Sequence, residues 1–253
     1  MPSAPTAPDP RDTVALTSHA AVDDACRLWY GSFDGVISTQ SLAVPGYPFG
    51  SIVPICQDQT GRPLLLLSHL AQHSRNLAAD PRCALTLFDH PAGDIQQARR
   101  LTCIADCHPI TDADALARYC RHFPNGRMYA EQLGFRLYRL RPLRLHYNGG
   151  FATARWLGAD RLLAPLPLTT SAEQSLLLRL HAERSERLAT LFSEWGWGSP
   201  DQATKLVSLD RWGLTVRDGE RLRRLDAPQP LGDWGALITA IDHDDLHPPS
   251  AVE

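Results

Sequence analysis

Between residues 34 and 107, apolar and polar positions alternate in short runs bounded by glycine, proline, aspartate and asparagine. "DGVISTQS", "FGSIVPICQ", "RPLLLLS", "CALTLFD" and "RRLTCIADC" read as strands, with turns at "PGYP" and "QTGR". Upstream, "AAVDDACRLWYGSF" puts Ala25, Leu28 and Trp29 on one side of a helix. Downstream, Thr111 to Asp114 resembles a capping box opening the helix "DADALARYCRHF". "GRMYAEQLG" is a weaker helix, and "FRLYRLRPLRLHY" is a further strand ending at the glycine pair of "NGGF". Strands outnumber helices and hairpin-length turns join several of them. The pattern predicts a largely antiparallel β-barrel with peripheral helices.

The stretch "LGADRLLAPLPLTT" breaks the pattern and reads as a boundary. Beyond it, Ser171 and Gln174 are placed to cap one long helix, whose Leu177, Leu180, Leu188, Leu191, Phe192 and Trp195 form an apolar stripe. "ATKLVSLD" and "GLTVRDGERLRRL" are strands, the second folded on itself at Asp218-Gly219. "DWGALITAI" is a last helix. The organisation predicted is a disordered tail at 1–18, a barrel domain at 19–157, a linker at 158–170, a small α+β domain at 171–242 and a tail at 243–253. The fold class is α+β, mainly β.

The chain has 253 residues, of which 43% are hydrophobic, enough for a real core. Its formal net charge of −3 argues against a general nucleic-acid surface. No apolar run approaches the roughly 20 residues that span a bilayer, and the Pro/Ala-rich start lacks a signal-peptide core. No membrane partner and a cytoplasmic location are the expectation. In that compartment the scattered cysteines stay reduced. Cys103 and Cys107 fall on one face of a strand about 13 Å apart, too far for a disulfide or a shared metal, and read as buried, inert thiols.

The connector between two apolar strands, "SHLAQHSRNLAADP", carries the candidate chemistry. Ser68 reads as its N-cap and Asp80-Pro81 as its stop, with His69, Gln72, His73 and Asn76 sharing a face. Three readings stay open on residues alone. A helix N-terminus between strands suits an anion such as phosphate or propionate, with Arg75 as a clamp. His69 and His73 at i, i+4 suit a metal. The segment can also be a plain surface crossover.

"GYPFGSIVPICQDQTGRPLLLLSHLAQHSRNLAADPRCALTLFD", with "RRLTCIADC", "FRLYRLRP" and "NGGFATARWL" after it, resembles the HugZ-type heme-utilisation family. That family belongs to the pyridoxamine-phosphate-oxidase-like split-barrel superfamily, and the resemblance covers roughly residues 20 to 157. It implies a split-barrel homodimer with a cofactor cleft between protomers and an appended α+β domain. It also implies heme as ligand, oxidative heme breakdown for iron release, and electrons from an external reductant. In flavin-using relatives a Ser-Arg-Lys contacts the FMN phosphate. Here Ser74 and Arg75 match and Asn76 replaces the lysine, so FMN is the alternative cofactor and an FMN-dependent oxidoreductase the alternative enzyme. A non-catalytic tetrapyrrole-linked regulator is a further alternative.

By the same resemblance, a histidine near the chain end supplies the axial iron ligand. His243 and His247 are the candidates, with His247 preferred because it lies beyond the last helix. Arg100 matches an arginine placed near the heme pocket as a catalytic cation. Arg139 is a second candidate or a structural ion-pair partner. Two departures stand out: Gly134 where some relatives carry an aspartate, and "HAER" where an Asn-Asp-His-like stretch is usual. His181 of that stretch reads as a semi-buried histidine.

Overall fold

A computed structural model of the protein describes residues 19–89, 94–149, 154–163, 168–198 and 204–248. The tail expected at 1–18 lies outside the described residues, as do residues 164–167 of the expected linker and the last five residues.

The alternating runs become one eight-stranded antiparallel sheet. Its strands are β1 (Asp34–Gln40), β2 (Pro48–Pro54), β3 (Cys56–Gln57), β4 (Pro63–Ser68), β5 (Arg82–Phe88), β6 (Arg100–Pro109), β7 (Phe135–Asn148) and β8 (Arg155–Gly158). The order is β2-β1-β5-β6-β7-β4-β3, with β8 added alongside β7, and the sheet curls into a split barrel. On β6, Leu101, Cys103, Ala105 and Cys107 are buried while Arg100 is exposed, as the alternation requires. Both cysteines are free; burial raises the Cys103 thiol pKa, and a hydrogen bond with Cys83, followed by burial, raises that of Cys107. Pro142 lies where the β6–β7 register skips Leu143: Ile104 faces Arg144 and Ala105 faces Pro142. A proline cannot donate to the ladder, so the strand bulges there.

The four leucines of "RPLLLLS" are consecutive because β4 is covered on both faces. Leu65 and Leu67 enter the main core, which includes Ala25, Leu28 and Trp29 of α1 (His19–Gly31). Leu64 and Leu66 enter a second cluster with Ala115 and Tyr119 of α3 (Ala113–His122). Between these, α2 (Gln72–Ala79) is the connector helix, and α4 (Gly126–Gln132) follows α3. Trp29 donates to the Gly61 carbonyl at 2.9 Å, which anchors α1 to the β3–β4 turn.

Beyond the barrel come α5 (Thr170–Glu183), α6 (Ser185–Glu194), β9 (Thr204–Asp210), β10 (Gly213–Asp218), β11 (Arg221–Asp226) and α7 (Trp234–Asp242). The three strands pair in the order β11-β10-β9 over their own core of Leu176, Leu180, Leu188, Phe192, Leu214 and Ile241. The β10–β11 turn is Gly219-Glu220, with Gly219 at φ +60°, a backbone state that glycine enters without steric cost.

Several expectations need correction. Asp112, not Thr111, caps α3 by accepting from the Ala115 amide at 2.9 Å. Thr169, not Ser171, caps α5 by accepting from the Ala172 amide at 3.2 Å. In both places neighbouring residues have equal capping chemistry, and the register slips by one or two. The single long helix is two, broken at Arg184, whose φ of −128° is not helical. The Arg184 guanidinium turns instead to Asp242 at 2.8 Å, so the break brackets the end of α7. Strand β8 has only four residues and left no clear alternation to read. Among the described residues no helix is long and apolar enough to cross a membrane.

Candidate functional site

A groove of about 630 Å³ lies where α3 and α4 of the barrel face the β10–β11 hairpin. Phe123 ends α3 and Pro124 prevents its continuation, so the chain turns and Gly126 opens α4. That corner gathers aromatic rings. Tyr119 and Phe123 lie 4.8 Å apart, and Tyr129 stacks on Phe135 at 5.2 Å. Leu66 of β4 lies beneath them, and Ile52 and Pro54 of β2 close one side. The opposite wall is basic, carrying Arg217, Arg221 and Arg223.

His122 also lines the groove, yet its ring nitrogens are already engaged. Nδ1 donates to the Arg118 carbonyl at 3.0 Å, which leaves Nε2 to accept from the Ser208 hydroxyl, also at 3.0 Å. Burial, reinforced by the nearby Arg118 charge, pushes its pKa down to about 3, so the imidazole is neutral at any physiological pH.

Buried charges join the two sheets behind this groove. Glu173 of α5 accepts from Arg118 and Arg121 of α3, and from the Leu209 amide at 3.0 Å. Burial opposes the Arg118 charge, but Glu173 more than offsets it and raises the guanidinium pKa. Arg224 is likewise enclosed, with both terminal nitrogens on Asp210 at 2.6 Å and Nε on Asp226 at 3.2 Å. Asp226 also meets Arg27 of α1 at 3.5 Å.

The residues singled out in the sequence are not gathered at one place. The connector helix begins at Gln72, three residues later than a Ser68 cap implies, because the Ser68 hydroxyl accepts from the Leu70 amide and its carbonyl from the Ala71 amide in a turn. His69 therefore stands off the helix and donates from Nδ1 to the Gly134 carbonyl at 2.8 Å. Gly134 has φ +67°, and a Cβ there would lie 2.7 Å from the His69 ring. Asn76 is fully buried. Its amide oxygen accepts from the Leu42 amide and Gln72, and its nitrogen donates to Thr39 at 2.9 Å. Arg75 donates to the Leu70 carbonyl at 2.8 Å. On this helix His73 Nε2 lacks a partner, and the buried Ser74 hydroxyl lies against the Tyr138 hydroxyl. Burial lowers the His73 pKa.

Arg139 sits between Asp58 and Asp112, 2.8 Å from each, as a structural ion pair. Arg100 is exposed and donates to the Gln96 carbonyl at 3.2 Å. It pairs in register with Asn148, at the end of β7 opposite to Phe135. His181 is half-buried on α5. His243 is exposed at the end of α7. His247 is exposed too, but its backbone is bridged to Asp226 by two hydrogen bonds of 2.7 and 3.1 Å, and Leu246 beside it is buried. His247 is thus tied to the far end of β11 from the groove. Among the described residues, no cluster of three or more histidines, cysteines or carboxylates is arranged to hold a metal ion.

The groove escaped sequence reading because its walls come from residues 33–34, residues 52–54, Leu66, residues 119–135 and residues 217–223, five segments with no common motif. The arginine-rich hairpin "RDGERLRR" was visible, but only as a turn signal.

Comparison with known proteins places the barrel. The profile of the family described as CREG, beta-barrel matches residues 17–162. The non-canonical heme oxygenase HOZ of Arabidopsis thaliana, a chloroplastic protein, is 32% identical over 136 residues, covering 53% of this chain. This chain spans only 41% of that relative's length. A crystal structure of a protein of unknown function from Agrobacterium tumefaciens is 25% identical, covers 95% of this chain and 100% of its own, and has a TM-score of 0.74. A heme binding protein from Mycobacterium smegmatis is 22% identical, covers 90% of this chain and 97% of its own, and shares the fold at a TM-score of 0.54. With the profile spanning more than half of the residues, the chain belongs to the CREG beta-barrel family.

Proposed function

We propose that this protein binds heme and assists its oxidative degradation and the release of iron, acting as a homodimer with an external reductant. The observation that carries the reading is the groove. Its volume of about 630 Å³ falls within the ~300–1,000 Å³ usual for small-molecule sites. Flat aromatic walls on one side and arginines on the other fit a planar porphyrin with carboxylate arms. The sequence similarity to a heme oxygenase adds support.

Bound heme would supply the redox-active iron. The protein's share is to hold the ring against Phe123, Tyr129 and Phe135 and to exclude water. His122 would be an unsuitable iron ligand because its Nε2 lone pair is committed to Ser208. His247 and His243 remain the candidates. Five residues of β11 separate Asp226, where His247 is bridged, from Arg221 at the groove, about 17 Å along the strand. A second copy of the chain is the more direct source. An apolar face supports such a dimer: Tyr47 is 65% and Ile52 81% exposed, and Ile52 borders the groove.

The test is a hemin titration read at the Soret band, repeated with His247→Ala, then ascorbate in air. A shifted Soret band that bleaches under reductant is expected. A stable band means binding without degradation, and no shift ends the heme reading. FMN is the second reading, favoured by the unpartnered His73 Nε2 on the connector helix. Release of flavin from the denatured protein as isolated would support it.

A further inference from the structure

Arg217 is the unexplained charge of the groove. In the β10–β11 register it stands directly opposite Leu222, and Thr215 stands opposite Arg224. Directly opposed residues share a face, so Arg217, Leu222, Thr215 and Arg224 point the same way. That face meets the barrel, since Arg224 lies against Gly31 of α1. The two arginines are treated differently. Arg224 has Asp210 and Asp226. Arg217 lines the groove with its Nε buried and without a hydrogen-bond partner, and no carboxylate pairs with it among the described residues. Arg223, on the other face, is held by Asp218 at 3.0 Å and stacks 4.9 Å from the Trp197 ring. Arg221, at the hairpin tip, is exposed.

A half-buried guanidinium with no counter-ion is costly, because burial removes water from a charge that nothing in the chain replaces. Its planar fork suits a carboxylate in particular. The aromatic rings across the groove provide the apolar surface that a carboxylate-bearing flat molecule would cover. Asp34 and Glu220, the acids lining the groove, disfavour a ligand that is anionic over its whole surface. An amphiphile with its anionic end at the hairpin and its apolar body at the α3–α4 corner matches both walls.

We propose that Arg217, supported by Arg221 at the rim, is the carboxylate clamp of this groove and fixes which edge of a porphyrin faces the C-terminal hairpin. The clamp belongs to the module outside the barrel, so the barrel alone would hold the ring without orienting it. The proposal rests on the heme reading for the identity of the ring, but its geometry does not depend on iron.

The experiment uses the full chain and two metal-free probes, protoporphyrin IX and its dimethyl ester, titrated by tryptophan quenching alongside hemin. Arg217→Gln, Arg217→Lys and the Arg217→Gln/Arg221→Gln pair are compared with the parent, each first checked for an unchanged far-UV spectrum and melting midpoint. Loss of one charge-assisted hydrogen bond predicts protoporphyrin binding about 10-fold to 100-fold weaker in Arg217→Gln. Arg217→Lys should recover part of it, and ester affinity should not change. Equal losses for acid and ester would overturn the clamp, as would no loss for either. If hemin fails to bind while protoporphyrin binds in an Arg217-dependent way, the clamp stands and the heme reading falls. If neither tetrapyrrole binds the parent protein, both fall.

Discussion

Replacing Glu173 by alanine tests the joint between the two sheets. The carboxylate is 1% exposed and takes Arg118, Arg121 and the Leu209 amide at once. Arg118 has only a 3% exposed side chain, and apart from Glu173 its main bond is Nε to the Gln57 carbonyl at 2.6 Å. Glu173→Ala would leave that guanidinium buried without a counter-charge. Breaking a buried pair from one side costs about 3–5 kcal/mol. In a domain of this size each kcal/mol moves the midpoint by about 2–4 °C, so Tm should fall by about 6–20 °C. Replacing both partners, as Glu173→Leu with Arg118→Met, should recover most of the loss, because no charge is then stranded. Calorimetry and urea titration of the full chain read both variants. A Glu173→Ala loss below about 1 kcal/mol would refute the reasoning, as would a double variant no better than the single one.

Two further outcomes follow from groups near the site. His122 holds its folded pKa at about 3 against an ordinary 6.5. Between those values the unfolded chain binds a proton that the folded one does not. Stability present at neutral pH is therefore lost as pH falls, by about 2 kcal/mol at pH 5. Arg118, Arg121 and Arg224 all act in the same direction on that ring, and Ser208 holds its Nε2. The urea midpoint of His122→Asn should depend less on pH between 7 and 5 than that of the parent, and parallel pH profiles would contradict the assignment. Gly134→Ala should cost about 1–2 kcal/mol for a left-handed backbone alone. It should also displace His69, whose ring a Cβ would approach to 2.7 Å. An unchanged denaturation midpoint would argue against that conformation.

The strands and most helices were legible because each run carried its own period: alternation on β6, a one-sided stripe on α1, two-sided burial on β4. Caps were misplaced by one or two residues because Thr111 beside Asp112, and Thr169 beside Ser171, offer interchangeable oxygens. The break at Arg184 left no local signal, since its cause is Asp242, a partner 58 residues away. The connector motif was legible as residues but not as contacts. Asn76 matched a ligand position by resemblance, whereas Thr39, Leu42 and Gln72 occupy it as a bracket between the helix and the end of β1. The groove was illegible for the same reason on a larger scale. Periodicity reports which face of an element is covered, and says nothing of what two distant elements enclose.

The salt bridge between Arg27 and Asp226 sets a timetable on the ribosome. Arg27 also donates to the Pro228 carbonyl, 201 residues further along. At roughly 5–20 residues per second, about 10–40 s separate the synthesis of the helix from that of the strand that receives it. For that interval the N-terminal helix must rest on a nascent sheet whose final buttress does not yet exist. A pause in translation before residue 226 would lengthen the period in which Arg27 has no acid to meet, and a chaperone binding there would have a defined window in which to act.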